Sequence, residues 1–262
     1  MSILIESEKG LARVTLNRPD RRNAFDAEMV EEIRRVFQTL GRDRSVRVII
    51  LSGAGAAFCA GADLSWMGPD RRLSGLEARQ DAERLLAMFR AIDECPSPVV
   101  GRIQGAAYGG GVGLIAVCDI AVAAAESTFA LSEVRLGLVP AVIAPFILRK
   151  AGETFARRFC LTGEPFSAIT ALQAGLIHEV VELTALDAQV TALAEQLARV
   201  APQAARDTKA MLRRLTQVSA DDQWKACVDA NVRARLSAEA QEGLRAFRER
   251  RTPVWGDPSG EE

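Results

Sequence analysis

The chain has 262 residues, 48% of them hydrophobic, which suffices for a large buried core: one big domain, or one domain with a helical appendage. A net charge of −1 and a pI near 6.1 leave no global field to attract nucleic acid or an anionic membrane. No run of about eighteen apolar residues occurs, and the first residues lack a basic segment followed by an apolar stretch, so neither membrane spanning nor secretion is expected. Cys59, Cys95, Cys118, Cys160 and Cys227 are scattered without CxxC spacing, which suggests no zinc site or disulfide framework and fits a reduced, cytoplasmic compartment. The single histidine, His178, cannot build a histidine metal cluster and reads as structural.

Residues 2–7 and 11–17 alternate apolar and polar around Lys9-Gly10, predicting an opening β-hairpin. Met29, Val30, Ile33, Val36, Phe37 and Leu40 recur at helical spacing and predict a helix over 27–41. Val48-Ile49-Ile50-Leu51 is a continuous apolar run, as expected of a strand buried on both faces. A glycine- and alanine-rich loop then runs to about residue 68, and a charged amphipathic helix covers 76–94. The pattern repeats: a strand at 98–103, a loop from Gly105 to Gly109, a small-residue helix over 110–118, and a strand at 120–123. Leu176 to Val181 reads as a further strand. Strand, turn and helix alternate, so the core is α/β with parallel crossovers. Residues 1–184 form this core, and 185–262 read as a helical region packed on it or swapped against it, with a frayed end at 257–262.

Three segments carry candidate chemistry. Gly109-Gly110-Gly111 precedes a helix whose first amides are unpaired and lie at the positive end of its dipole, and glycine lets a ligand oxygen approach closely. Ala60-Gly61-Ala62 makes a second small-residue turn after a buried strand. Each has a plainer reading: tight helix–strand packing for the glycines, and a simple turn with Asp63 capping a short helix for the other. Glu133, in Ser132-Glu133-Val134, offers a carboxylate for moving a proton, or else caps a helix or pairs with a surface cation.

In this order the motifs resemble the enoyl-CoA hydratase/isomerase (crotonase) superfamily along nearly the whole chain. The resemblance rests on Leu16-Asn17-Arg18-Pro19 with Arg22-Asn23-Ala24, Phe58-Cys59-Ala60-Gly61-Ala62-Asp63-Leu64, and Gly105-Ala106-Ala107-Tyr108-Gly109-Gly110-Gly111 with Cys118-Asp119-Ile120. It continues through Ser132-Glu133 with Gly137-Leu138-Val139-Pro140, Leu161-Thr162-Gly163, Ala174-Gly175-Leu176 and Glu242-Gly243-Leu244 with Ala246-Phe247. It implies the ClpP/crotonase-like spiral of ββα units with a helical C-terminal region. It also implies an acyl-CoA thioester substrate with no bound cofactor, since CoA leaves with the product, and assembly as a homotrimer or a dimer of trimers.

Carried over by motif, the amides of Ala62 and Gly110 are the donors of an oxyanion hole, and Ala60, Gly61, Asp63, Leu64 and Gly109 frame it. Such a donor is worth about 3 kcal/mol to an enolate-like transition state. Typical hydratases of the family carry two glutamates; the later is Glu133, but the earlier position is Gly113, one turn beyond Gly110 on the same side of the helix. Arg21, Arg22 and Ala24 match positions that approach CoA, as do Phe247 and Arg250 in the last helix, although Arg245, Arg248, Arg250 and Arg251 also read as a solvated face.

The segments around Gly109 and Glu133 look most like bacterial hydratases of branched carboxyacyl-CoAs, with methylglutaconyl-CoA hydratase as the nearest type. Ala141-Val142-Ile143-Ala144 stands where the family is glycine-rich and implies a different acyl-pocket wall. The reading is an enoyl-CoA hydratase, with Tyr108 or Ser132 as possible helpers to Glu133. The alternatives are a 3,2-enoyl-CoA isomerase, for which one glutamate suffices, a decarboxylase or hydrolase of the family, and an RNA-binding relative, against which the missing basic–aromatic stripe argues.

Overall fold

A computed structural model describes residues 1–68 and 73–255. Ile3–Glu8 (β1) and Leu11–Leu16 (β2) form the expected antiparallel hairpin, and Ala27–Arg42 (α1) follows, capped where Asp26 accepts from the Met29 amide at 3.0 Å. Val48–Gly53 (β3), Leu64–Met67 (α2) and Gly75–Asp93 (α3) come next, α3 opening with a reciprocal Ser74–Glu77 capping box. The chain continues through Val99–Ile103 (β4), Ala106–Tyr108 (β5), Gly110–Val117 (α4), Ile120–Ala124 (β6), Thr128–Ala130 (β7), a 3-10 turn at Glu133–Leu136, and Ala144–Thr162 (α5). Pro165–Ser167 (β8), Ala168–Gln173 (α6) and Glu179–Val181 (β9) complete the sheets. Leu183–Ala198 (α7), Pro202–Leu215 (α8), Ala220–Leu236 (α9) and Ala238–Glu249 (α10) are all helical.

A six-stranded sheet has the order β1-β2-β3-β4-β6-β9, parallel except for the opening hairpin. A smaller sheet, β5-β7-β8, stands beside it. β4 and β6 each feed the large sheet and are followed at once by β5 and β7 in the small one, and then by a helix. This is the β-β-α spiral that the sequence resemblance implied.

Two differences from the sequence reading follow from this repeat. The segment Gly105–Gly109, expected as a loop, holds β5; its three residues are too few for periodicity to register. His178 lies just before β9 rather than inside a strand. Its amide donates to the Ala121 carbonyl (2.8 Å) and its Nδ1 accepts from the Ala121 amide (3.0 Å), a structural task. The frayed end expected at 257–262 lies outside the described residues.

The apolar run in β3 is buried on both faces for a visible reason. Ile49 and Leu51 join the core under α1, α3, α4 and α5, while Val48 and Ile50 join Val100, Val122 and Ala124 against Leu186, Val190 and Ala194 of α7. Those three α7 residues recur every turn, so α7 is a third layer on the sheet. It begins at Leu183 and therefore spans the division expected between 184 and 185. Among the described residues no helix is long and apolar enough to cross a membrane.

Candidate functional site

The first half of the site is built by Asn23. It is fully buried with φ of 56°, a left-handed conformation that asparagine tolerates better than most residues. Its side-chain amide donates to the carbonyls of Ala54 (2.9 Å), Ala57 (2.9 Å) and Phe58 (3.1 Å), and its oxygen accepts from the Arg18 amide (2.9 Å). Segment 18–25 is thereby fastened to the loop after β3. The next residues dock on it: the Ala60 amide donates to the Arg22 carbonyl, and the Cys59 thiol to the Asn23 carbonyl. Burial holds that thiol at a pKa of about 12, so it packs as an inert group.

Gly61 then turns with φ of 89°; a Cβ there would lie 2.7 Å from the Tyr108 carbonyl oxygen and 3.1 Å from the Gly110 nitrogen. Only glycine lets the two turns meet this closely. The Phe25 amide donates to the Gly61 carbonyl and the Asp63 amide donates to the Phe25 carbonyl, a parallel bridge that straddles Ala62. In such a bridge the middle residue's own N–H faces away from the partner strand. The Ala62 amide donates to no described residue.

The second half is β5 and the start of α4. The Tyr108 amide donates to the Cys59 carbonyl and the Gly109 amide to the Ala130 carbonyl, after which Gly109 (φ 49°, ψ −116°) starts the helix. A Cβ on Gly111 would lie 2.1 Å from the Cys59 carbonyl oxygen, and one on Gly110 would lie 2.5 Å from Cζ of Phe25. Tight packing and exposure of the backbone thus have one cause. Gly110 supplies the first helical amide, which has no acceptor among the described residues and sits at the positive end of the helix.

Glu133 faces this junction. A Cβ on Gly109 would lie 3.0 Å from its Oε1 and 3.9 Å from its Oε2. Oε2 is buried without a hydrogen-bond partner, and among the described residues no cation pairs with the carboxylate. Burial pushes its pKa above the ordinary carboxylate range, more than a backbone hydrogen bond lowers it. A buried acceptor left unsatisfied calls for an explanation, and a group brought by a substrate is one.

The structure adds a packing reason for glycine at position 113. A Cβ on Gly113 would lie 2.4 Å from Cγ2 of Ile143 and 2.9 Å from Cε1 of Phe89, both buried. The place of the missing carboxylate is not open space; hydrocarbon fills it. Of the suggested helpers, the Tyr108 hydroxyl lies 3.5 Å from Thr128 Oγ1, while the Ser132 side chain makes no capping bond.

The remaining candidates scatter. Asp63 accepts from the Ser65 amide (3.0 Å) and hydroxyl (2.7 Å), so it does cap α2, and it also pairs with Arg18 at 3.2 Å. Leu64 is exposed at the mouth of this turn. Arg21 and Arg22 are exposed and Ala24 is buried just behind them. Phe247 is 84% exposed on α10, and Arg250 ends that helix. Helix α10 packs on α9, and no hydrogen bond or ion pair ties it to Ala62, Gly110 or Glu133 among the described residues. Within one chain the structure therefore joins Ala60–Asp63, Gly109–Gly110 and Glu133, and does not bring Phe247 and Arg250 to them. Arg18, Asn23, Phe25 and Phe89 shape the site without having been assigned a role from sequence, and Ile143, read there as part of the acyl-pocket wall, stands against Gly113. Asparagine after a run of turn residues was the available signal for one of them.

Comparisons with known proteins identify the family and the fold. The family model for enoyl-CoA hydratase/isomerase matches residues 6–258. "Enoyl-CoA hydratase ACTT6" of Alternaria alternata is 37% identical over 246 residues, covering 92% of this chain and 79% of its own. The peroxisomal Delta(3,5)-Delta(2,4)-dienoyl-CoA isomerase of Arabidopsis thaliana is 31% identical, covering 94% and 93%. The crystal structure of an enoyl-CoA hydratase from Shewanella pealeana superposes with a TM-score of 0.92 at 36% identity, covering 97% of this chain and 96% of that one. The chain belongs to the enoyl-CoA hydratase/isomerase family and has the crotonase fold.

Proposed function

We propose that this member of the enoyl-CoA hydratase/isomerase family is a hydratase that adds water across the 2,3 double bond of an enoyl-CoA. The observation that carries the reading is Oε2 of Glu133 beside Gly109, near the Ala62 and Gly110 amides, all without partners among the described residues. The thioester oxygen accepts from the Ala62 and Gly110 amides. As water attacks the β-carbon, Glu133 takes one of its protons, and negative charge moves onto the thioester oxygen, where the two fixed donors stabilise it. The protonated Glu133 then returns a proton to the α-carbon. Water is consumed, one C–O and one C–H bond form, and the carboxylate is regenerated. A raised pKa suits a group that must both accept and release this proton.

Arg21, Arg22 and Ala24 are the candidate contacts for the CoA carrier. Phe247 and Arg250 would serve the site of a neighbouring copy in a trimer or a dimer of trimers, in keeping with the exposure of the Phe247 ring. A branched or carboxylated acyl group, as in methylglutaconyl-CoA, remains the nearest substrate type by sequence resemblance, in a cytoplasmic setting.

A second reading is isomerisation. The hydrocarbon filling the place beside Gly113 favours it, because a single base can shuttle a proton between two carbons of an allylic system. A mass-spectrometric panel of crotonyl-, 3-methylglutaconyl- and 3-enoyl-CoAs separates the two. Hydrated product from the 2-enoyl thioesters supports the hydratase. Its absence, with 3-enoyl substrates converted, assigns the isomerase.

A further inference from the structure

Arg18 contacts residues on both sides of the Ala62 turn. Its guanidinium donates to the Ala24 carbonyl (2.6 Å), pairs with Asp26 (3.0 Å), the N-cap of α1, and pairs with Asp63 (3.2 Å), the N-cap of α2. Its backbone amide is held by Asn23. Phe25, whose backbone straddles Ala62, lies between Ala24 and Asp26, so one planar cation spans both flanks of that strand and the residue following Ala62. The Asp63 side chain is only 10% exposed; its Oδ1 is used on Ser65, and Arg18 is the cation on its Oδ2. Without the guanidinium, two carboxylates would share one half-buried corner with nothing between them, and repulsion would act directly on the peptide after Ala62. The Gly110 amide and Glu133 are held by other elements and would keep their places.

We propose that Arg18 is a positioning residue for the Ala62 amide: it fixes the direction of one oxyanion donor by tying Asp63 and Asp26 to a common cation. This rests on the reading of Ala62 and Gly110 as donors to a thioester oxygen. The fork matters as well as the charge, because Nη1 reaches the Ala24 carbonyl and Asp26 while Nη2 reaches Asp63.

The test uses an aryl-conjugated enoyl-CoA whose absorption moves to longer wavelength when its carbonyl accepts hydrogen bonds, alongside steady-state kinetics. Arg18→Gln is expected to lower kcat by about tenfold or more with KM nearly unchanged, and to reduce the red shift of the bound thioester. Arg18→Lys, with the charge but not the fork, should fall between this variant and wild type. Asp63→Asn keeps an N-capping side chain and replaces the ion pair with a weaker neutral contact to Arg18, without leaving two unpaired carboxylates, so it should show a smaller loss of kcat and red shift in the same direction even where Arg18→Gln fails to fold. A full red shift and wild-type kcat in Arg18→Gln, or in Asp63→Asn where that is the variant that folds, overturns the inference. No red shift in the wild-type protein itself would instead count against the placement of the thioester oxygen, and the inference would fall with it.

Discussion

The ring of Phe25 abuts Gly110 so closely that a Cβ on the glycine would lie 2.5 Å from the ring's Cζ, while the backbone of the same Phe25 bonds on both sides of Ala62. One residue therefore sets the spacing of the Ala62 and Gly110 amides. Phe25→Ala removes a fully buried ring and should cost about 3–5 kcal/mol of stability, read as a fall in the urea midpoint. Phe25→Leu, which keeps the backbone bridge and much of the volume, should fold well and lose kcat more than KM. Gly110→Ala should be the more damaging to turnover, because the added methyl either displaces the ring or moves the amide.

Glu133→Gln keeps shape and removes the exchangeable charge. Turnover of every enoyl-CoA accepted by the wild type should drop by about 10²–10⁴-fold, with thioester binding largely retained. Full turnover in this variant would remove Glu133 from the mechanism.

The acid limb of kcat/KM should follow the same carboxyl. Burial raises its pKa, so activity that needs the carboxylate is lost on acidification at a pH above the ordinary carboxylate range. A pH–rate profile checks the position of that limb.

Stability carries the opposite signature. The folded protein holds the Glu133 proton more tightly than the unfolded chain does, so in the window between the two pKa values the native state binds more protons. Stability contributed by this group is present below the unfolded value and is lost as pH rises through the folded one. Glu133→Gln should therefore be more stable than wild type at neutral pH, with the gap closing in acid. Thermal unfolding across pH measures it.

Position 113 gives a coupled pair. Gly113→Ala should destabilise by about 1–3 kcal/mol, because its methyl would meet Ile143 and Phe89. Ile143→Ala should cost about 2–5 kcal/mol by leaving a cavity. Combined, the two should cost less than their sum, since the new methyl enters the vacated space; a double-mutant cycle in urea reads the difference. Gly113→Glu alone should destabilise the protein without adding an acid–base group.

Much of this was legible in the chain itself. The hairpin, α1, α3 and the doubly buried β3 follow from periodicity and run length, and the glycines at 61 and 109–111 marked both turns. What periodicity could not reach was β5, with three residues, and the docking of α7 on the far face of the sheet, which depends on which side of β3 Val48 and Ile50 face. The reason for glycine at 113 was also hidden. Read alone it is a missing carboxylate, and only the approach of Ile143, at the N-cap of α5, and of Phe89 from α3 shows that the space is filled. Asn23 and Arg18 were visible as members of a motif, but their work lies in bonds to residues distant in sequence, such as Ala57 and Asp63.

The central claim is that Glu133 moves the proton while the Ala62 and Gly110 amides hold the thioester oxygen. The most direct measurement incubates a 2-enoyl-CoA with wild type and Glu133→Gln in ¹⁸O-labelled heavy water and follows the product by mass spectrometry. The account predicts one solvent oxygen at the β-carbon and one deuterium at the α-carbon with the wild type, and neither with Glu133→Gln on the same timescale. Equal labelling by both proteins, or wild-type product without solvent oxygen, would contradict it.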